Sequence, residues 1–233
     1  MNTNGTDKRD MAIYNMADAA HYLGLPYSTV KSWVVGQRYR TPDGEEKFLK
    51  PIIKPVDKAK RLLSFRNLVE LHVLSLTRRE FRIPMQKVRT ALDYLKRELD
   101  TQHPLSDVPL ETDGIDVFVE RFEHLVSASR KGQLAMREVV KQYLQRIDRD
   151  KTGSPLRLYP FTRLSVKAEQ PRIVVIDPAV SFGRPCIAKI GVATAVLAER
   201  YKAGDSIGDL AYDYGCPPAL IEEAIRTESR SAA

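Results

Sequence analysis

The stretch ADAAHYLGLPYSTVKSWV, from Ala17 to Val34, decides the fold of the N-terminal part of this chain. A helix-turn-helix needs a small residue where its helices touch, a turn residue that tolerates a left-handed backbone, and apolar residues that hold the second helix. Five residues occupy those places: Ala20, Gly24, Leu25, Val30 and Trp33. Val30 and Trp33 follow Gly24 by six and nine residues, on one face of the second helix. The stretch predicts a helix-turn-helix with Trp33 in the core; a plain helical hairpin is the alternative.

The other side of the second predicted helix carries short polar, hydroxylated and basic side chains. These are Tyr27, Ser28, Thr29, Lys31 and Ser32. No acidic residue lies among them, so they can approach phosphates and base edges without electrostatic repulsion. We expect this face to contact double-stranded DNA.

The next segment, residues 36–56, is rich in turn signals. Pro42, Asp43 and Gly44 predict the turn of a β-hairpin. One arm carries Arg38, Tyr39 and Arg40, and the other carries Lys47, Lys50 and Lys54. This composition is typical of a wing that lies on phosphates or in a minor groove, and we expect Arg38, Tyr39, Arg40 and Lys47 to contact DNA. A solvated basic hairpin is the alternative.

The net charge of +7 is divided unevenly along the chain. Residues 1–104 contain 19 Lys and Arg against 12 Asp and Glu, a net charge of +7, whereas residues 105–233 contain 18 of each and are neutral. Neutralising phosphates with such an excess of cations releases counterions and favours binding to a polyanion. Charge alone is equally consistent with a soluble basic surface, and the helix-turn-helix favours DNA.

Two further helices are predicted after the hairpin. Ser64 is placed to cap a helix from about Phe65 to Glu80, and Pro84 suits the first turn of a second helix. The apolar stripe of that second helix is formed by Val88, Leu92, Leu95 and Leu99. It must be covered within the chain or by a second copy in a dimer.

This order of elements over Met11 to Leu99 resembles the winged-helix domain of the MerR type, with Ala20, Gly24, Val30 and Trp33 in the motif places. Classical members continue into a long coiled-coil helix. Here Gln102, His103, Pro104 and Pro109 interrupt the chain. The small-molecule sensing of classical members is therefore not expected of this chain.

Residues 105–165 predict a small α+β connector, with an edge strand at Ile115 to Val119 and a helix at about Gly132 to Ile147. Glu120, Glu123 and His124 lie close together, but a solvated surface explains them better than a metal or acid-base site. Cys186 and Cys216 lack ligand spacing and are expected to be reduced and partly buried. We expect no cofactor, no metal and no enzyme activity.

The last part, from Arg172, predicts a strand, a helix and a closing helix pair. It resembles the small domain-of-unknown-function family numbered four-three-three, on the residues Gly183, Arg184, Pro185, Gly204, Asp205, Ser206 and Ile207. Lys189, Ile190 and Gly191 stand where that family usually has Gly-Thr-Arg.

The closing helix pair also has helix-turn-helix spacing, at Ala211, Gly215, Ile221 and Ala224. Asp205 to Ile225 contains five acidic residues and no Lys or Arg. Phosphates repel carboxylates, so we expect this pair to pack or to contact protein.

Together the two ends resemble VapB-type antitoxins. The resemblance implies a PIN-like ribonuclease toxin as partner and repression of the operon by the complex. It also implies that a basic side chain approaches the acidic pocket of the toxin. The candidates are Arg184, Arg226 and Arg230. A local bond to carbonyl groups is the preferred interpretation for Arg184, whereas the tail that carries Arg226 and Arg230 is expected to be too short to pack strongly.

The predicted fold class is mostly α with small β elements (α+β): a winged helix-turn-helix plus a small C-terminal helical domain with short strands. The predicted divisions are a disordered lead over residues 1–10, a DNA-binding domain over 11–104, the connector over 105–165 and a protein-contact domain over 166–233. We expect a cytoplasmic protein, because no apolar run approaches the roughly 20 residues that cross a bilayer and no secretory signal is visible. We also expect it to form a homodimer. A MerR-like regulator without a toxin is the alternative.

Overall fold

The computed structural model describes residues 7–80, 85–98, 100–107, 130–163 and 171–230. Its helices are α1 (Met16–Leu23), α2 (Tyr27–Val35), α3 (Phe65–Arg79), α4 (Met85–Glu98), α5 (Arg130–Leu144), α6 (Thr194–Lys202), α7 (Ile207–Asp213) and α8 (Pro218–Glu228). Its strands form three antiparallel pairs: β1 (Gln37–Arg40) with β2 (Glu46–Leu49), β3 (Ile147–Arg149) with β4 (Pro155–Leu158), and β5 (Val174–Val175) with β6 (Cys186–Ile187). The predicted α+β class is confirmed.

Helix α3 is the centre of the larger core. Its N-terminus is closed by a capping box, in which Ser64 accepts from the backbone N–H of Asn67 and the Asn67 side chain accepts from that of Ser64. Twelve of its 15 residues are buried, and a helix that is buried all round belongs in the interior of a domain. Helices α1, α2 and α4 and part of α5 contribute to the same core.

The apolar stripe of α4 is covered within the chain. Val88, Leu92 and Leu95 are at most 4% exposed and belong to the core around α3. Leu99 lies outside the described residues, as does Pro84, the predicted first-turn proline. The stripe therefore does not need a second copy of the chain to cover it.

The predicted connector does not form a core of its own in its described part. Val140, Tyr143 and Leu144 of α5, with Ile147 and Leu158 of the β3–β4 hairpin, are buried in the core around α3. The strand predicted at Ile115 to Val119 lies outside the described residues, as do Glu120, Glu123 and His124. One core thus crosses the boundary that the sequence suggested at residue 105.

The lead also differs from the expectation of disorder where it is described. Lys8–Asp10 form a 3-10 turn. Arg9 pairs with Asp7 at 2.7 Å and with Asp150 at 2.6 Å, and Asp10 pairs with Arg66 at 3.0 Å. Two of these partners, Asp150 and Arg66, come from distant parts of the sequence, so local composition could not reveal the order of this turn.

The smaller core lies in the C-terminal part. Strands β5 and β6 and helices α6, α7 and α8 enclose Val174, Ile187, Leu197, Leu210 and Ile221, which are fully buried. The two parts also join through backbone pairing, since Leu158 and Ile176 exchange hydrogen bonds at 3.0 and 2.8 Å. None of the helices that the structure describes is long and apolar enough to cross a membrane.

Candidate nucleic-acid interface

Helices α1 and α2 form the predicted helix-turn-helix. Asn15 closes the start of α1 with a capping box to Asp18, and Gly24 ends the helix with φ 59° in the left-handed region. The backbone N–H of Leu25 then donates to the carbonyl of Ala20 at 2.8 Å. Val30 and Trp33 of α2 are at most 2% exposed, so the core position predicted for Trp33 is confirmed.

The outward face of α2 agrees with the sequence prediction except at one position. Tyr27, Ser28 and Lys31 are exposed and Ser32 is half-buried, with its hydroxyl donating to Gln37 at 3.1 Å. Thr29, in contrast, is only 2% exposed and accepts a hydrogen bond from Arg78 at 2.5 Å. Its hydroxyl is thus held by α3, although Thr29 also lines the cleft described below, and its contact with DNA stays a prediction.

The β1–β2 hairpin is the predicted wing, and it projects directly from α2. All four residues of β1 are exposed, including Arg38, Tyr39 and Arg40, and Lys47 is exposed on β2. Gly36 makes the connection, at φ 91°; a Cβ there would lie 2.4 Å from the carbonyl oxygen of Leu49. A side chain at this position would displace the wing, so Gly36 sets its angle to α2.

Two exposed ion pairs partly offset the positive charge of the wing. Arg38 lies 3.6 Å from Glu46 and Lys47 lies 3.3 Å from Glu45. Exposed pairs of this kind contribute little, on the order of 0–1 kcal/mol. Phosphates can therefore replace the Glu46 and Glu45 carboxylates as partners of Arg38 and Lys47 at little cost in free energy.

A cleft of about 850 Å³ separates the outward face of α2 from the wing. Its cations are Lys31, Arg38 and Arg78, its other polar side chains include Ser28, Ser32 and Gln37, and its apolar floor is formed by Trp33, Leu49 and Met85. No acidic side chain lines it among the residues that the structure describes. We call it the basic cleft; its shape and charge suit a phosphate backbone.

A second depression, of about 560 Å³, lies between the wing and α4. It contains Lys50, Lys54, Arg89 and Lys96 against one acidic residue, Asp93. The carbonyl of Pro51 accepts a hydrogen bond from Arg89 at 3.4 Å, which ties α4 to the base of the wing. Sequence reasoning missed Arg78, Arg89 and Lys96, because only the fold brings α3 and α4 beside the wing.

The C-terminal end of the chain reaches the helix-turn-helix. Arg230 donates to the carbonyls of Phe161 and, at 3.5 Å, Tyr22, and its guanidinium lies against Gly24. From the other side, Arg79 donates to the carbonyls of Leu23, at 3.2 Å, and Gly24. Two cations thus hold the carbonyl end of α1, where the helix dipole is negative.

A third contact strengthens this junction. The ring of His21 in α1 lies 2.9 Å from the carboxylate of Glu228 at the end of α8, and that carboxylate also accepts from Thr194 of α6. We refer to Glu228 and Arg230 as the C-terminal strap. The strap joins the smaller core to the turn of the helix-turn-helix.

The three candidate toxin contacts are placed differently. Arg230 is held in the strap, and burial lowers the pKa of its guanidinium; the expectation of a loosely packed tail is wrong for it. Arg226 is 51% exposed in its side chain, beside Glu223 at 3.5 Å. Arg184 is exposed, and its Nε donates to the carbonyl of Ser181 at 3.2 Å, which is the predicted local bond.

Groups of three or more His, Cys, Asp or Glu side chains that could hold a metal do not occur in the described ranges. His72 is fully buried, and burial lowers the pKa of its imidazole to about 3. Cys186 is buried and Cys216 half-buried, both as free thiols.

Comparison with known proteins agrees with both halves of this description. Residues 12–92 match a family described as "putative DNA-binding HTH domain", and residues 174–226 match the "protein of unknown function (DUF433)" family. The first match covers the helix-turn-helix and the hairpin that follows it, and supports a DNA-binding domain of the helix-turn-helix type. It does not specify the MerR type, which stays a prediction.

Relatives of similar length come from Mycobacterium tuberculosis. The crystal structure of Rv2018 superposes with a TM-score of 0.65 at 24% identity, covering 93% of this chain and 98% of that one, a likeness of fold. The uncharacterized protein Rv2308 is 25% identical over 94% of this chain and 91% of its own length. The protein named "putative antitoxin VapB45" is 31% identical over 93% of both chains. With a relative this similar along nearly its whole length, the chain belongs to the family of that antitoxin.

Proposed function

We propose that this chain is the DNA-binding antitoxin of a toxin-antitoxin pair. In this proposal its N-terminal part binds the operator of its own operon as a cytoplasmic homodimer. Its C-terminal part inhibits a PIN-like ribonuclease, and the complex of the two proteins represses the operon. The observation that carries the proposal is the basic cleft between α2 and the wing, which joins a helix of helix-turn-helix geometry to an exposed basic hairpin.

The geometry suggests separate roles for the two elements. Arg38, Arg40 and Lys47 are exposed cations on a hairpin, and cations of this kind position a protein on phosphates. Tyr27, Ser28, Lys31 and Ser32 lie on the outward side of α2, which in helix-turn-helix proteins enters the major groove. Tyr39 is 41% exposed on β1, where its ring is available to the minor groove.

Arg78 extends this interface beyond the sequence prediction. Its Nη1 donates to the buried Thr29 hydroxyl at 2.5 Å, and its side chain lines the basic cleft. A cation anchored to the underside of α2 can contact a phosphate while fixing the orientation of the helix. We therefore assign Arg78 a phosphate contact and Thr29 a positioning role.

A homodimer suits this interface because helix-turn-helix proteins commonly bind two half-sites about one helical turn apart. The described residues of the apolar stripe of α4, Val88, Leu92 and Leu95, are buried within one chain, so we place the dimer surface elsewhere. The similarity to an antitoxin supports the toxin partner. The same similarity argues against an enzyme.

The DNA-binding half is tested by fluorescence anisotropy with the promoter fragment of the operon and with an unrelated duplex. We expect Arg38→Ala or Arg40→Ala to weaken binding to both duplexes and to lower the salt slope by about 0.9 per lost phosphate contact. Ser28→Ala or Lys31→Ala should change the preference between the duplexes, by about 1–3 kcal/mol for a lost base contact.

Glu222→Ala is the matched control for these variants, because Glu222 is an exposed residue of α8, the helix that corresponds to α2 in the C-terminal pair. It should leave DNA affinity unchanged. If wing variants changed sequence preference and α2 variants did not, the two roles would be reversed. If the full chain bound no duplex in a salt-dependent way, the DNA-binding proposal would fail.

The antitoxin half is tested with the protein encoded beside this gene. We expect a PIN-like ribonuclease that cleaves RNA alone and stops when the full-length chain is added at equal stoichiometry. An operator-binding chain whose neighbouring genes encode no nuclease, and which inhibits none, would instead be a transcription regulator without a toxin.

A further inference from the structure

The loop before β6 exposes a phenylalanine on a strained backbone. Phe182 is 88% exposed. Its φ angle is 56° and that of Ser181 is 49°, so two consecutive residues with side chains adopt the left-handed region. Such a conformation is unfavourable for a bulky residue, and strain of this kind concentrates at binding and catalytic sites.

The loop is held firmly in this shape. The carbonyl of Gly183 accepts from the hydroxyl of Tyr14 at 3.0 Å, and the hydroxyl of Ser181 donates to the carbonyl of Gly191 at 2.9 Å. Arg184 donates to the carbonyl of Ser181 through its backbone N–H and its Nε, at 3.1 and 3.2 Å. The ring of Phe182 is thus presented to solvent by a preorganised loop.

The surroundings of the ring define what it can bind. Ile13 is 39% exposed, and its Cδ1 lies beside Gly183, so apolar surface extends from the loop to the segment that precedes α1. Arg184 and Lys189 are exposed, and residues 178–191 contain no Asp or Glu. In the part of the chain that the structure describes, no carboxylate forms an ion pair with Arg184. The complementary surface is an apolar pocket with an acidic rim.

We propose that Phe182 is the anchor by which this chain docks on its protein partner, with Arg184 pairing to a carboxylate at the edge of the pocket. The proposal rests on the proposed function, because the partner it commits to is the PIN-like ribonuclease. Buried aromatic and arginine side chains dominate the energy of protein interfaces. A preorganised loop also loses little conformational entropy on binding.

A nucleic acid fits this surface less well. Proteins that bind single strands place several aromatic rings along a positively charged groove. Here the loop exposes a single ring, Phe182, with Arg184 two residues further along it. Protein is therefore the favoured partner, and nucleic acid is an outcome of the test.

The test uses full-length chain and the purified PIN-like ribonuclease encoded beside its gene, with Kd from titration calorimetry and inhibition from RNA cleavage. Phe182→Ala should weaken the complex about thirtyfold, as expected for an anchor residue, and Arg184→Ala should weaken it less. The thermal unfolding midpoint of Phe182→Gly should equal or exceed that of the original chain, because glycine relieves the strain. Its loss of affinity should match that of Phe182→Ala.

Tyr212→Ala is the matched control. Tyr212 is also 88% exposed, but it lies in the regular helix α7 near Asp209 and Asp213, and its removal should change Kd less than twofold. If the ribonuclease bound the original chain and Phe182→Ala equally, the docking site would be overturned while the proposed function stood. If the original chain neither bound nor inhibited the ribonuclease, both would fail.

Photo-crosslinking gives a direct readout. With benzoylphenylalanine at position 182, we expect a cross-link to the ribonuclease, and with the same residue at position 212 we expect none. A cross-link from position 182 to operator DNA, or to a second copy of the chain, would overturn the proposal.

Discussion

Helices α1 and α2 near the N-terminus and helices α7 and α8 near the C-terminus turn in the same way. The turn glycines, Gly24 and Gly215, have φ angles of 59° and 58°. In each pair the residue after the glycine donates its backbone N–H to the carbonyl four residues before the glycine, at 2.8 and 2.9 Å. Spacing alone therefore produced the same local geometry twice in one chain.

The surfaces of the two pairs are opposite in charge. The exposed face of α2 presents Lys31 among hydroxylated side chains, whereas α7 and α8 present Asp209, Asp213 and Glu222. A phosphate backbone attracts the first surface and repels the second. Helix-turn-helix spacing thus establishes a fold, and the charge on the exposed surface of the helix pair decides whether DNA is a possible partner.

The two pairs also differ in how the second helix is anchored, and this gives the largest expected effect. Nine residues after the glycine, α2 has Trp33 and α8 has Ala224, both at most 2% exposed. Trp33→Ala should cost about 4 kcal/mol of unfolding free energy and abolish DNA binding. Ala224→Gly should cost about 1 kcal/mol. Urea unfolding checks both.

Tyr27→Ala serves as the control for Trp33, because Tyr27 lies on the same helix and is 45% exposed. It should change the unfolding free energy by less than about 0.5 kcal/mol. Equal losses for Trp33→Ala and Ala224→Gly would show that both second helices are anchored with the same energy, contrary to the burial of a whole indole in one of them.

The second prediction is that acid destabilises the larger core more than the smaller one. His72 is buried in the larger core with its pKa lowered to about 3 by burial, whereas residues 171–230 contain no histidine. An unfolded histidine binds a proton near pH 6.5. Below that pH the unfolded state binds a proton that the folded state does not, and acid therefore favours unfolding. The contribution of His72 to stability is complete above about pH 6.5. It is then lost toward pH 3, by about 1.4 kcal/mol per pH unit.

Urea unfolding between pH 7.5 and 4.5, with hydrogen exchange followed in each core, measures this effect. His72→Phe should flatten the dependence. His103 acts in the opposite direction, because the Glu70 carboxylate, 3.3 Å from its Nδ1, raises its pKa, so its contribution is present at low pH and is lost as the pH rises. A pH dependence that survived unchanged in His72→Phe would assign the acid sensitivity to other groups.

The smallest of the three effects concerns the strap that joins the two parts. Arg230→Ala should cost about 2 kcal/mol, because the carbonyls of Tyr22 and Phe161 lose a charged donor. It should also weaken operator binding, since the turn before α2 loses one of its two guanidinium contacts. Arg226→Ala removes an exposed cation four residues earlier and should cost less than about 0.5 kcal/mol.

Thermal unfolding and anisotropy on the same two variants check this. If Arg230→Ala matched Arg226→Ala in both measurements, the strap would not stabilise the turn. Deletion of residues 226–233 should then leave the helix-turn-helix unaffected as well. Our expectation is that the deletion lowers both stability and DNA affinity.

Much of the interface could be predicted from local sequence. The left-handed glycine at the turn, the buried Trp33 and the basic hairpin depend on residues close together in the chain, and local backbone and side-chain preferences are sufficient to specify them. The same holds for Ser64 as a helix cap and for the local bond of Arg184. These features depend little on contacts with distant parts of the chain.

Other assignments depended on contacts between distant residues. Thr29 is a residue type that can read DNA, but its hydroxyl accepts a hydrogen bond from Arg78 of α3. Arg230 has the composition of a polar tail, but it reaches carbonyls more than 60 residues away in sequence. Burial and hydrogen bonding of these side chains are properties of the packed chain, which residue type and spacing do not encode.

The sequence by itself determined the two helix pairs, their spacing and the sign of charge on each, because these follow from residues within one or two helical turns. Only the tertiary structure decided that one core crosses the predicted domain boundary and that Arg78, Arg89 and Lys96 line the depressions beside the wing. It alone placed the C-terminal strap on the turn of the helix-turn-helix. The physical reason is that apolar burial and buried hydrogen bonds join any segments that meet in space, whatever their separation along the chain.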